Sequence, residues 1–388
     1  MHLTRLFRNS YIARCLRLPD GSTNGIGSTW ELDLDHDRWE TVEAIVAKVQ
    51  MASYFRWLWR GLLELYKPPH QRLTKETWEF LSAELRIRYE DPTWIGQVLD
   101  RARIQQVIWD PFWKPGVWAG PDPRLIPSLR ISSSLAAFHP DARDYEGCNL
   151  ITDWAEYFDL SIDSLADLEE LVDKVISANL DAGAVSLKSP IAYQRSLAIR
   201  PTSRQLASQA FGTPESRISP TARHEFEDYM IRFYLDRARE HGLVFQVHTG
   251  LARLDSSNPL LLAPLLEEYH DVTFDIFHGG YPWVHEVGAL AQNYPNVRLN
   301  LTWLPQLSTE ASVIALKEWL QVVPQSNRIS WGADCWTVEE CYGAMLAAKH
   351  VVARALSELV DDGYVDLEAA VEAAHSVLTV AGTQIYHR

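Results

Sequence analysis

Apolar residues along this chain recur at two periods, and the switching between them sets the expected architecture. From residue 243 onward, short apolar runs alternate with stretches of helical spacing. The run Leu243-Val-Phe-Gln-Val-His-Thr-Gly250, bounded by Gly242 and Gly250, reads as a strand buried on both faces. Further strands are expected at 272–277, 297–303 and 328–333, with helices over about 259–269, 283–293 and 309–321 between them. Upstream, residues 103–110, 125–133 and 183–188 also read as strands, with a helix over 165–179. Ser219-Pro220 supplies an N-cap and a first-turn proline for a long helix through Glu240, which Gly242 closes. A weaker strand near residue 3 brings the count to eight. Strands separated by helices of this length imply βαβ units, and eight of them imply a TIM-type (β/α)8 barrel in the α/β class.

Residues 38–103 break the alternation. Val42, Ile45, Val46, Val49, Tyr54, Leu58 and Leu62 track one helical face, and Pro68-Pro69 ends it. Helices from Thr74 and over Trp94–Ala102 follow, so the block reads as a helical insertion after the first strand. Residues 1–388 are expected to form a single domain that includes it. The last expected helix starts at Thr337-Val-Glu-Glu340, a capping-box pattern. The cluster Asp33-Leu-Asp35-His36-Asp37 reads as a solvated turn rather than a metal site.

Net charge is 36 minus 51, or −15, which argues against a nucleic-acid partner. No run approaches the length of a membrane span and no signal-type apolar stretch opens the sequence, so a cytoplasmic location is expected. Cys15, Cys148, Cys335 and Cys341 show no paired spacing and read as reduced thiols. A small-molecule substrate is the expected partner, with a homo-oligomer as a further possibility.

Candidate chemistry lies at strand ends. His248 ends one expected strand, His278 the next before Gly279-Gly280, and Asp334 the last in Trp331-Gly-Ala-Asp334. A lone buried histidine is more often a hydrogen-bonded core residue. Three such groups at equivalent strand ends form a constellation. Imidazoles and a carboxylate suit Zn²⁺ or a similar divalent ion such as Mn²⁺, with one position left for water. The ion lowers that water's pKa and Asp334 can accept its proton. Lys188 and Arg195 are candidates for binding a substrate carboxylate, with Tyr193 between them in sequence. Tyr281, Trp303 and Trp331 are candidate pocket walls, with Trp336 beside them. His285 reads as structural. Cys335 lacks the His/Asn pattern of a cysteine enzyme.

Several ordered segments resemble the amidohydrolase superfamily, in its amidohydrolase-2 branch. They are Leu187-Lys-Ser-Pro-Ile-Ala-Tyr-Gln-Arg195, Phe245-Gln-Val-His-Thr-Gly250, Asn258-Pro-Leu-Leu-Leu, Phe277-His-Gly-Gly-Tyr-Pro282, Tyr294-Pro-Asn-Val-Arg-Leu-Asn300, Trp331-Gly-Ala-Asp334 and Glu339-x-x-Tyr342-Gly-Ala344. The likeness is to the N-terminal barrel of nodulin/glutamine-synthetase fusion proteins and, more distantly, to uronate isomerases. It spans roughly residues 165–388. It implies a barrel holding one or two divalent ions, with His248 as the fifth-strand ligand and Asp334 as the eighth-strand ligand and general base. His278 matches a sixth-strand histidine that ligates or catalyses, and Lys188 a fourth-strand position where a bridging ligand can occur.

The family's first strand carries an H-x-H pair, and this sequence has none. His2 is the candidate remnant, as the second member of a pair begun ahead of Met1. The rival explanation is a branch that has lost a full metal site. The expected activity is metal-dependent hydrolysis of an amide or related C–N bond in a small carboxylate-bearing molecule. Decarboxylation or uronate-type isomerisation is the nearest alternative, and an inactive binding or scaffold barrel a third.

Overall fold

The computed structural model describes residues 1–15, 38–111 and 115–387. The Asp33–Asp37 cluster lies outside them. The described chain forms two compact units, one of Met1–Gln105, Leu301–Lys317 and Trp331–Ala374, the other of Gln106–Asn300, Glu318–Ser330 and His375–Arg388.

The second unit holds the sheet. Its strands are β1 (Val107–Trp109), β2 (Leu125–Arg130), β3 (Ser186–Ser189), β4 (Val244–His248), β5 (Phe274–Phe277), β6 (Val297–Asn300) and β7 (Ile329–Ser330), hydrogen-bonded in sequence order and parallel throughout. Every residue of β3 and β4 is buried, the polar Ser186, Lys188, Ser189, Gln246 and His248 included, so neither strand has a solvent face. The expected cap geometry holds between them. Ser219 accepts from the Ala222 N–H, Pro220 opens the helix Pro220–His241, and Gly242 closes it at φ 63°. Register places Lys188 beside Gln246 and Gln246 beside Asp275, so these three share one face of the sheet. The helix Ala381–Ile385 packs on Val244 through Ala381 and Ile385, with Tyr386 beside them.

The eighth strand is corrected. Leu3–Arg8 is a helix, so among the described residues the sheet has seven strands, with no pairing of β7 to β1. The physical reason is the spacing of Leu3, Leu6 and Phe7, which puts all three on one helical face in the core of the first unit. His2 caps that helix, its Nδ1 accepting from the Arg5 N–H at 3.2 Å.

The first unit gathers the helical block. The stretch over 38–66 is two helices, Trp39–Val49 and Ser53–Tyr66, followed by Lys75–Arg88 and Trp94–Ala102. Ser53–Tyr66 meets the helix Val338–Asp361 almost backbone to backbone. A Cβ at Gly343 would lie 2.6 Å from the Trp57 carbonyl oxygen, so only glycine permits the approach. On that same long helix, the fully buried Glu339 accepts from Tyr66 Oη (2.6 Å), Tyr89 Oη (2.8 Å) and Trp94 Nε1 (2.9 Å). Three donors from the helical block thus satisfy one buried carboxylate. Val338–Asp361 is not the last helix, since Leu367–His375 and Ala381–Ile385 follow.

Candidate active site

In the second unit, two of the expected residues meet directly. His278 Nε2 lies 2.7 Å from His248 Nδ1, both side chains deeply buried. His248 Nε2 lies 3.1 Å from the Leu251 carbonyl. A carbonyl only accepts, so Nε2 carries the proton and Nδ1 offers its lone pair toward His278. A backbone carbonyl fixing the outer nitrogen while the inner one is presented is how metal-binding histidines are oriented. The chain makes this approach with unusual backbone. His278 has φ 67°, and the Gly279 and Gly280 that follow also have positive φ. Gly250, two residues past His248, has φ 80°, and a Cβ there would stand 2.2 Å from the Tyr281 carbonyl oxygen.

The pair fits part of a divalent ion's shell. Zinc–nitrogen bonds of about 2.0–2.1 Å set two ligands of a tetrahedral ion about 3.3 Å apart, within a small side-chain adjustment of the observed spacing. Among the described residues, no group of three His, Cys, Asp or Glu side chains forms a complete metal-holding cluster. The imidazole pair is therefore two donors of a set.

Around the pair, Tyr193 packs on His248 with ring centroids 4.3 Å apart, and Tyr145 stacks on Tyr193 at 5.2 Å. Lys188 is buried with Nζ 3.7 Å from the Phe277 ring centroid. Tyr281 is half-buried, in the turn that follows His278. Arg195 is placed differently from its expected role. Its guanidinium is buried and bonded to Glu227 (3.2 Å) and Asp228 (2.5 Å), an internal ion-pair cluster that leaves it poorly suited to anchor a substrate carboxylate. His285 pairs with Glu318, in keeping with a structural role.

The second unit also holds groups that the sequence reading passed over. Arg130, beside Lys188 in register, binds Asp110 (2.7 Å), Glu146 (2.9 Å) and Tyr145 (3.0 Å). Burial pushes Glu146 up to about 7 despite Arg130. Asp275 is fully buried, and its Oδ2 accepts from Asn300 (2.9 Å) and from the Tyr386 hydroxyl. Its Oδ1 has no hydrogen-bond partner among the described residues. Burial pushes its carboxyl up to about 6. Gln246 donates to Tyr386 Oη at 2.9 Å. Polar residues within otherwise apolar strands, at 188, 246, 248 and 275, were the available signal.

In the first unit, Asp334 has φ 49° and accepts from the Tyr11 hydroxyl. Glu340 accepts from the backbone N–H of Tyr11 (2.9 Å) and of Trp336 (3.2 Å), and burial pushes it up to about 8. Thr337 accepts from the Glu340 N–H, so the capping pattern is half realised and its glutamate serves Tyr11 instead. Trp303 is 1% exposed and packs on Tyr11 and Tyr54 (4.9 and 6.0 Å), a core position rather than an open pocket wall. Trp331 is half-buried and Trp336 is 50% exposed. The Cys335 thiol is pushed up by its hydrogen bond with Cys341 and by burial, which disfavours a thiolate nucleophile.

No helix of the described residues is long and apolar enough to cross a membrane. Residues 212–359 match the amidohydrolase family model. Among curated proteins, Protein fluG of Emericella nidulans is 29% identical over 235 residues, which are 55% of this chain and 26% of that protein. The chain thus spans about a quarter of the length of that relative. Among solved structures, a putative metal-dependent hydrolase from Lactobacillus casei superposes with TM-score 0.68 at 18% identity, over 88% of this chain and 86% of the other. A uronate isomerase from Thermotoga maritima gives TM-score 0.68 at 13% identity, over 90% and 82%. One from Bacillus halodurans gives 0.68 at 15%, over 100% and 89%. These likenesses show the fold: an α/β chain whose parallel sheet matches barrel-type neighbours. Over its matched segment, this chain resembles the amidohydrolase superfamily, in its amidohydrolase-2 branch.

Proposed function

We propose that this chain is a metal-dependent hydrolase that activates water to cleave an amide or related C–N bond in a small, carboxylate-bearing molecule. The observation that carries the reading is the convergence of His248 Nδ1 and His278 Nε2 after adjacent parallel strands, where α/β barrels do their chemistry. His248 and His278 supply imidazole donors to a divalent ion, Zn²⁺ or Mn²⁺. Bound there, the ion would lower the pKa of a water toward neutrality and polarise the scissile carbonyl. Asp334 is the proton acceptor, a role that rests on its place after β7 in the sequence and on the resemblance.

The chain's own residues supply the rest. Lys188, held over Phe277, offers the cationic contact for a substrate carboxylate. Tyr193, against His248, orients the imidazole and forms a wall. Tyr281 lines the turn after His278.

A second reading, uronate-type isomerisation, is favoured by the likeness to the Thermotoga maritima and Bacillus halodurans enzymes over most of the chain. Product analysis of the Zn²⁺- or Mn²⁺-loaded protein separates the two. Amine or ammonia release from N-acyl amino acids and related amides supports hydrolysis. Aldose–ketose interconversion of a hexuronate without such release would replace it with isomerisation.

A further inference from the structure

The Leu251 carbonyl meets one nitrogen of His248 and His278 meets the other. Two contacts in the plane of the ring leave its tilt about the line between them to packing. Tyr193 packs on the imidazole, and Tyr193 is itself stacked on Tyr145 with 22° between the ring planes. Tyr145, Tyr193, His248 and His278 thus run in ring contact from the loop after β2 to the turn after β5.

The outer end of this series is tied down by charge. Arg130, the last residue of β2, donates through Nη1 to Tyr145 Oη (3.0 Å) and to Glu146 (2.9 Å). Its Nε and Nη2 both reach Asp110, directly after β1, at 2.8 and 2.7 Å. All three guanidinium nitrogens are engaged, so the planar group cannot turn without breaking a bond to a carboxylate. The loop that carries Tyr145 is closed on itself, because Asp144 Oδ1 accepts from the backbone N–H of Glu146 and of Cys148, both at 2.9 Å. Stacking alone does not call for this. Phenylalanine would present the same ring to Tyr193, whereas the tyrosine hydroxyl takes a charge-assisted bond that fixes where the ring lies.

We propose that Tyr145 is a positioning residue for His248. Arg130 anchors its hydroxyl, and its ring supports Tyr193, which sets the tilt at which His248 Nδ1 faces His278. All of these groups lie in the second unit. The role rests on the reading of the imidazole pair as metal donors. Residues that orient a ligand without touching the ion typically set affinity by about tenfold to a hundredfold.

The test combines ¹⁵N spectra of the histidine-labelled, metal-free chain with Zn²⁺ affinity from competition with a chromogenic chelator. Tyr145→Leu removes the ring. It is expected to move His248 from the Nε2–H form toward values averaged over both tautomers, and to weaken Zn²⁺ by about tenfold or more. Tyr145→Phe keeps the ring and loses the anchor, so both effects are expected in smaller measure. Val172→Ala, at a fully buried position of the helix Leu165–Asp181, controls for lost stability. It should lower the melting temperature and leave spectrum and affinity unchanged. If His248→Ala loses Zn²⁺ while Tyr145→Leu keeps the affinity and the His248 spectrum of the unmodified chain, the positioning role alone falls. It also falls if Val172→Ala changes both as much as Tyr145→Leu, or if Tyr145→Phe matches the unmodified chain in both. A His248→Ala chain that binds Zn²⁺ as tightly as the unmodified one overturns the metal reading and this role with it.

Discussion

His278 Nε2 stands 2.7 Å from His248 Nδ1, and His248 spends its other nitrogen on the Leu251 carbonyl. With Nδ1 of His248 the acceptor, the proton between the rings sits on His278 Nε2. A metal taken up by the pair must displace it, because a ligating nitrogen needs its lone pair. ¹⁵N spectra of histidine-labelled protein are expected to show His248 in the Nε2–H tautomer with and without Zn²⁺. His278 should change from Nε2–H to Nδ1–H on metal addition. A His248 signal in the Nδ1–H form would contradict the site.

Gly250 is needed for the loop that carries this geometry. Its φ of 80° and the 2.2 Å approach of a would-be Cβ to the Tyr281 carbonyl oxygen leave no room for a side chain. Gly250→Ala is expected to cost about 2–5 kcal/mol by denaturant unfolding, from backbone strain plus overpacking against a carbonyl that cannot yield. A loss under about 0.5 kcal/mol would show that the two loops are not packed as described.

Arg195 is expected to matter for stability rather than for substrate. Its guanidinium is buried with Glu227 and Asp228, and removing it leaves two carboxylates without their cation. Arg195→Met should lower unfolding free energy by about 3–5 kcal/mol, with Zn²⁺ content unchanged. Urea titration and elemental analysis check the two halves. A folded variant of unaltered stability would return Arg195 to the list of substrate contacts.

Asp275 gives a pH-dependent prediction. Burial raises its carboxyl from 3.8 to about 6 in the folded chain, so the proton is bound more tightly there than in the unfolded chain. The stability this confers is full below 3.8 and is lost as pH rises through about 6, at most about 3 kcal/mol. Asp275→Asn cannot ionise. Its unfolding free energy relative to the unmodified chain should therefore improve by up to that amount from about pH 4 to about pH 7. A difference that does not vary with pH would mean that the carboxyl is not held in the buried setting with Asn300 and Tyr386.

Much of the fold was legible because its causes are local. The strand 243–248, the Ser219-Pro220 start and the Gly242 stop all follow from neighbouring residues, and the structure keeps each within a residue or two. His248 and His278 could be paired in advance because parallel strands joined by one helix bring their C-terminal ends together. The failures came where tertiary partners decide. Leu3, Leu6 and Phe7 fit a helix as well as a short strand, and only the helical core of the first unit selects between them. Arg195 looked like an anion anchor until Glu227 and Asp228, some thirty residues on, were seen to neutralise it. Tyr11 and Tyr386 carried no local signal. Each matters through one carboxylate more than a hundred residues away, Asp334 and Asp275 respectively.

Metal content tests the central claim most directly. The chain, loaded with Zn²⁺ or Mn²⁺ and dialysed, is expected to retain about one equivalent by elemental analysis. His248→Ala and His278→Ala should each retain less than about a tenth of that while melting close to the unmodified chain. A protein that retains neither metal, or a folded His248→Ala that keeps the full complement, would contradict the account.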